Sequence, residues 1–136
     1  MTLIPSKYQV KNPKIAKWGV VGAVIAILIL TVLEFPAPIG FETRPQNNVL
    51  ILFGMLFLVI LVSEITAASL VFKKTNLAIK FAIVAGILNI IQIIADIMHL
   101  MQPEVAPFGY TILELSVGLL SLMLIYFALS LKGLKK

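Results

Sequence analysis

The chain has 136 residues, 60% of them hydrophobic and 12% charged, with a formal net charge of +5 and a mean hydropathy of +1.07. A soluble domain carries nearer a quarter of its residues charged and cannot hide so much apolar surface, whereas a bilayer can. The absence of cysteine excludes disulfides, thiolate metal sites, iron–sulfur clusters and cysteine nucleophiles, and the single histidine, His99, excludes haem held by two histidines.

The expected fold is all-α: an integral membrane four-helix bundle forming one domain, 1–136, with basic tails at 1–15 and 132–136. Four apolar stretches, about 16–33, 49–72, 77–100 and 109–131, approach or exceed the ~20 helical residues that cross a ~30 Å hydrocarbon core. Helices are expected because unpaired backbone amides in lipid cost several kcal/mol, and a β-barrel needs a polar alternation that these runs lack.

The first stretch follows Lys7, Lys11, Lys14 and Lys17 and imitates a secretory signal. No small-x-small cleavage site follows it, so it is read as a retained span. Gly19, Gly22, Ala23 and Ala26 offer positions for close helix packing. The connection from Glu34 to Asn48 carries Pro36, Pro38, Gly40 and Pro45, which end one helix and delay the next. The second stretch contributes Glu64, with Ala68 one turn further on, and Lys73 to Asn76 form a tight polar turn.

The third stretch carries the most informative pattern. Ala78, Ala82, Ala85, Asn89, Gln92, Asp96 and His99 alternate at spacings of four and three, a seam on one helix face. Its first half is small, and its second half is polar. Pro103, Pro107 and Gly109 punctuate the next connection. In the fourth stretch Thr111, Glu114, Gly118, Ser121, Ile125 and Ala128 repeat the alternation. Ser63, Ser69, Ser116, Ser121 and Ser130 read as packing or back-bonding residues.

Basic residues set the expected orientation. Lys7, Lys11, Lys14, Lys17, Lys73, Lys74, Lys80, Lys132, Lys135 and Lys136 fall on one side, and only Arg44 falls on the other. Both termini are therefore expected in the cytoplasm, and the expected location is a prokaryotic plasma membrane. Trp18 and Tyr126 fall at the inner boundary and Tyr110 at the outer one, where amphipathic rings prefer to lie. The lysines read as topology signals first and as attraction to anionic lipid second. Nucleic acid is not an expected partner.

Depth decides which polar groups can meet. At ~1.5 Å per residue, Asp96 lies about 6 Å inside the outer end of its helix and Glu114 roughly 6–8 Å inside the next. His99 is one turn further out. The expected arrangement is an outer cluster of Asp96, His99 and Glu114, then Gln92 and Asn89, then Glu64 on the cytoplasmic side of the middle. An intramembrane carboxylate costs at least ~2.5 kcal/mol on insertion scales, and no lysine or arginine is expected at that depth. Its compensation is a proton, the His99 imidazolium, a metal or a bound cofactor. Three uses stay open: a hydrogen-bond network that fixes helix register, a proton or quinone site, and a metal site at Asp96, His99 and Glu114.

The segments EITAASLVFKKTNLAIKFA from Glu64, ADIMHLM ending the third stretch, and ELSVGLLSLMLIYFALSLKG opening the fourth carry a family resemblance. Over roughly 62–133, about half of the chain, it resembles the DoxX-like group of small four-span membrane proteins. The resemblance implies a four-helix membrane domain tied to redox chemistry, with relatives linked to quinone-coupled thiosulfate or sulfur oxidation and to membrane oxidoreductase complexes. The residues it carries over are Glu64, His99 and Glu114. The expected function is thus a membrane subunit of an oxidoreductase or similar complex, with other membrane subunits or further copies of itself as partners and quinone as the candidate cofactor. A small oligomeric proton-coupled transporter and a purely structural assembly subunit are the alternatives.

Overall fold

Asn12 and Pro13 set the start of the first helix. In the computed structural model, which describes residues 11–34, 47–97 and 108–134, the Asn12 side chain accepts from the Lys14 amide at 2.9 Å. That is an N-cap, and Pro13 occupies the first helical position, where its missing N–H costs nothing. The helix therefore begins earlier than the expected boundary at 16, and Ala16 is fully buried in the core.

Among the described residues four helices follow in order: α1 (Pro13–Glu34), α2 (Asn47–Leu70), α3 (Thr75–Ile97) and α4 (Phe108–Leu134). The turn between α2 and α3 is tight because its carbonyls find partners at once. Lys73 and Lys74 donate their amides to Leu70 O at 3.1 and 2.7 Å, and the Thr75 hydroxyl donates to Val71 O at 2.9 Å. This closure ends α2 two residues before the expected boundary at 72.

α1 packs on α4, α4 on α3 and α3 on α2, and a lighter contact between α1 and α2 closes the ring. The start of α1, the α2–α3 turn and the end of α4 share one end of the assembly. Trp18 meets Phe72 edge-on with ring centroids 5.1 Å apart, and Gly19 lies against the Phe127 ring. Lys14, Lys17, Lys73, Lys74 and Lys132 consequently gather at that end.

The interior is a narrow stripe from each helix. α1 supplies Ala16, Val20, Ala23, Val24 and Ile27, α2 supplies Ile60 and Ala67, and Val71 follows from the turn. Ala78, Ala82 and Ala85 come from α3, and Val117, Leu124, Ala128 and Leu131 from α4. Outside, the large aliphatic side chains stay exposed, among them Ile29, Leu58, Ile91, Leu115 and Leu119. Among the described residues three helices are long and apolar enough to cross a membrane, Pro13–Leu33, Thr75–Ala95 and Ile112–Gly133, and Gly54–Leu70 within α2 is a shorter apolar stretch. An apolar exterior around a partly polar interior suits contact with a lipid bilayer.

The seam expected on α4 is displaced. Glu114, Ser121 and Ala128 are buried, but their companions are Val117, Leu124 and Leu131 in place of Gly118 and Ile125, which are half-buried. α4 packs between α1 and α3, so its inward face points between two neighbours, and a four-three count along one helix cannot locate that direction.

Candidate functional site

Glu64 points inward because its helix face does. Ile60 and Ala67 lie one turn away on the same side of α2, Ser63 adjoins Glu64 and Val71 follows the helix end, and all are buried. On α3 Asn89 continues the alanine stripe Ala78, Ala82 and Ala85, whose small side chains let the neighbouring backbones approach. Glu64 is 2% and Asn89 7% exposed, and Asn89 Nδ2 donates to Glu64 Oε1 at 2.7 Å.

The two residues are not equidistant from the turn, since Asn89 lies farther along α3 than Glu64 lies back along α2. Helical side chains lean toward their own N-terminus. α2 and α3 run in opposite directions, so Glu64 leans away from the turn and Asn89 leans toward it, each toward the other. Counting depth alone put the two in successive layers; the structure joins them in one contact.

The other candidates divide by what the structure describes. Gln92 is half-buried, one turn out from Asn89. Glu114 is buried on α4 and has a partner. A Cβ on Gly118 would stand 3.5 Å from the Ile93 side chain, an ordinary packing contact between α3 and α4. The side chain of Asp96 and the whole of His99 lie outside the described residues, as does the expected meeting of Asp96, His99 and Glu114. Among the described residues no group of three or more histidine, aspartate or glutamate side chains could hold a metal ion.

Three serines satisfy themselves within their helices. Ser63 donates to Val59 O at 2.7 Å, Ser116 to Ile112 O at 2.8 Å and Ser121 to Val117 O at 2.8 Å. Beside the α3–α4 seam runs an apolar groove of about 310 Å³, lined by Ile90, Ile93, Ile94, Leu115, Leu119 and Leu122, with Gly118 in its wall. It flanks the helix faces that bear Gln92 and Glu114. Chemically, an enclosed carboxyl beside an amide donor can hold or release a proton, and the amide fixes which oxygen faces α3.

Sequence reasoning missed Gly86. A Cβ there would stand 2.5 Å from Ile125 Cγ1 and 3.1 Å from the Ser121 carbonyl oxygen, so α3 and α4 are in backbone-level contact one turn below Asn89. Its signal was available, one position beyond Ala85 on the same stripe.

Comparison of the chain with family models, curated proteins and solved structures finds no match.

Proposed function

We propose that this chain is a four-span protein of a prokaryotic plasma membrane with both termini in the cytoplasm. In this reading it serves as the membrane subunit of an oxidoreductase-type assembly whose electrons come from a partner subunit, and its interior carboxyls exchange protons with a lipid-soluble quinone. The observation that carries the reading is the Glu64–Asn89 contact: a carboxyl at 2% exposure, held by a neutral amide at 2.7 Å. Ionisable groups inside a membrane are costly and are retained chiefly where they act on protons, ions or ligands. Supporting it are the open apolar groove between α3 and α4, whose aliphatic lining suits a hydrocarbon tail, and the DoxX-like resemblance in the segments around Glu64, His99 and Glu114.

The test is infrared difference spectroscopy on the protein reconstituted with a short-chain quinone, cycled between quinone and quinol. The expected result is a carboxyl C=O band that changes with the redox state and disappears in Glu64→Gln or Glu114→Gln. A difference spectrum identical in wild type and both variants rejects the reading.

A second reading has its own observation. The pair bridges α2 and α3, and an interhelical polar contact can serve to fix register alone. In that case Glu64→Gln, which keeps an acceptor for Asn89, leaves quinone-linked turnover of native membranes unchanged.

A further inference from the structure

The basic end of the molecule carries more structure than a scatter of charges. Lys14, Lys17 and Trp18 lie on one face of α1 at spacings of three and four. Trp18 packs edge-on against Phe72 at 5.1 Å between centroids, and the two rings remain 63% and 47% exposed. Lys17 Nζ stands 6.0 Å from the centre of the Phe72 ring, within reach of a cation–π attraction. Lys73 and Lys74 follow Phe72 directly and are exposed, held by the amide hydrogen bonds of the turn. Among the described residues this end holds no exposed carboxylate, since the nearest acid, Glu64, is buried against Asn89.

We infer that the α1–α2 corner is a binding site for the headgroup of an anionic phospholipid. Lys14, Lys17, Lys73 and Lys74 surround the phosphate, and the Trp18–Phe72 pair forms the floor at headgroup level. Charge complementarity selects the occupant: four ammonium groups with no opposing carboxylate call for an anion, and amphipathic rings beside them place it at the membrane interface. The light contact between α1 and α2 leaves the corner open sideways, where acyl chains run along the exposed Ile25 and Ile29 of α1 and Val62 and Ile65 of α2. The inference rests on the membrane-spanning reading and is independent of the quinone reading.

Native mass spectrometry in mild detergent, with phosphatidylglycerol and phosphatidylcholine supplied in equal amounts, tests it. The wild type is expected to retain phosphatidylglycerol preferentially, and each lysine lost from the corner lowers that preference roughly fivefold. Lys17→Gln with Lys73→Gln and Lys74→Gln abolishes it. The charge-matched set Lys11→Gln, Lys80→Gln and Lys132→Gln retains it, and circular dichroism confirms that both sets are folded. Equal retention of the two lipids by the wild type, or equal loss in the two triple variants, overturns a localised site. Displacement of the lipid by excess inorganic phosphate overturns the lipid as occupant. Alkaline carbonate extraction separates the two levels: a protein that stays in the membrane without lipid preference fails this inference alone, and one that leaves the membrane fails both.

Discussion

The amide of Asn89 on α3 donates to the carboxyl of Glu64 on α2 at 2.7 Å, and both side chains are almost completely enclosed. On these antiparallel helices each side chain leans toward the N-terminus of its own helix, and so toward the other. Leucine at Asn89 keeps the volume and removes the donor. Leaving a buried polar group unsatisfied costs about 1–3 kcal/mol. Asn89→Leu is therefore expected to lower stability by about that amount in denaturant unfolding, and Asn89→Leu with Glu64→Leu by less than the sum of the two single changes. Interhelical polar pairs in membranes measure about 0.6 kcal/mol on average and up to about 1.7. Strict additivity would mean that the contact has no energetic role.

Two glycines are expected to respond in opposite ways. At Gly86 a methyl group meets Ile125 at 2.5 Å and the Ser121 backbone at 3.1 Å, and at Gly22 it meets nothing within 4 Å. Gly86→Ala forces α3 and α4 apart, at a cost of about 1–3 kcal/mol typical of overpacking. Gly22→Ala adds only helix propensity and is expected to raise stability by up to about 1 kcal/mol. Thermal unfolding of the two variants in detergent decides; a more stable Gly86→Ala would contradict the close α3–α4 approach.

The inward face of α4 can be read by truncation. Leu124 is fully buried, whereas Leu122 is exposed. In lipid, an outward leucine gains no hydrophobic stabilisation from helix packing, so the cost of truncation is the cavity left inside. Leu124→Ala is expected to cost about 2 kcal/mol, the lower end of the range for buried leucines. Leu122→Ala stays within about 0.5 kcal/mol, as surface changes do. Equal costs would return α4 to a different rotation.

Orientation is open to a direct chemical test because the chain has no cysteine of its own. Single substitutions Lys73→Cys and Lys135→Cys are expected to react with a membrane-impermeant maleimide only when the cytoplasmic face is exposed. Glu42→Cys is expected to react in intact cells. The reverse pattern would overturn the assignment made from the lysines.

Much of the fold was legible in local sequence. Four helices lie on the four apolar runs, and Ala78, Ala82, Ala85 and Asn89 are buried along one face, but the turn expected at 73–76 falls earlier, since Thr75 and Asn76 already belong to α3. The start at Pro13 was also written in the chain, as an asparagine before a proline, but the apolar run begins later and drew the boundary with it. The candidate site was legible in part. Glu64 and Asn89 stood out by type and depth, yet nothing in their spacing said that they touch.

The sequence by itself determined the apolar composition, the helical segments and the lysines flanking them, because each depends on residues that are neighbours along the chain. Tertiary structure alone decided that α1 lies beside α4, that α4 turns Val117 and Leu124 inward, and that Asn89 reaches Glu64. The physical reason is that these helices are apolar outside as well as inside. An outward face that lipid accepts leaves little amphipathic signal, so the inward direction of each helix is set by its neighbours and by the few polar side chains that must find one another.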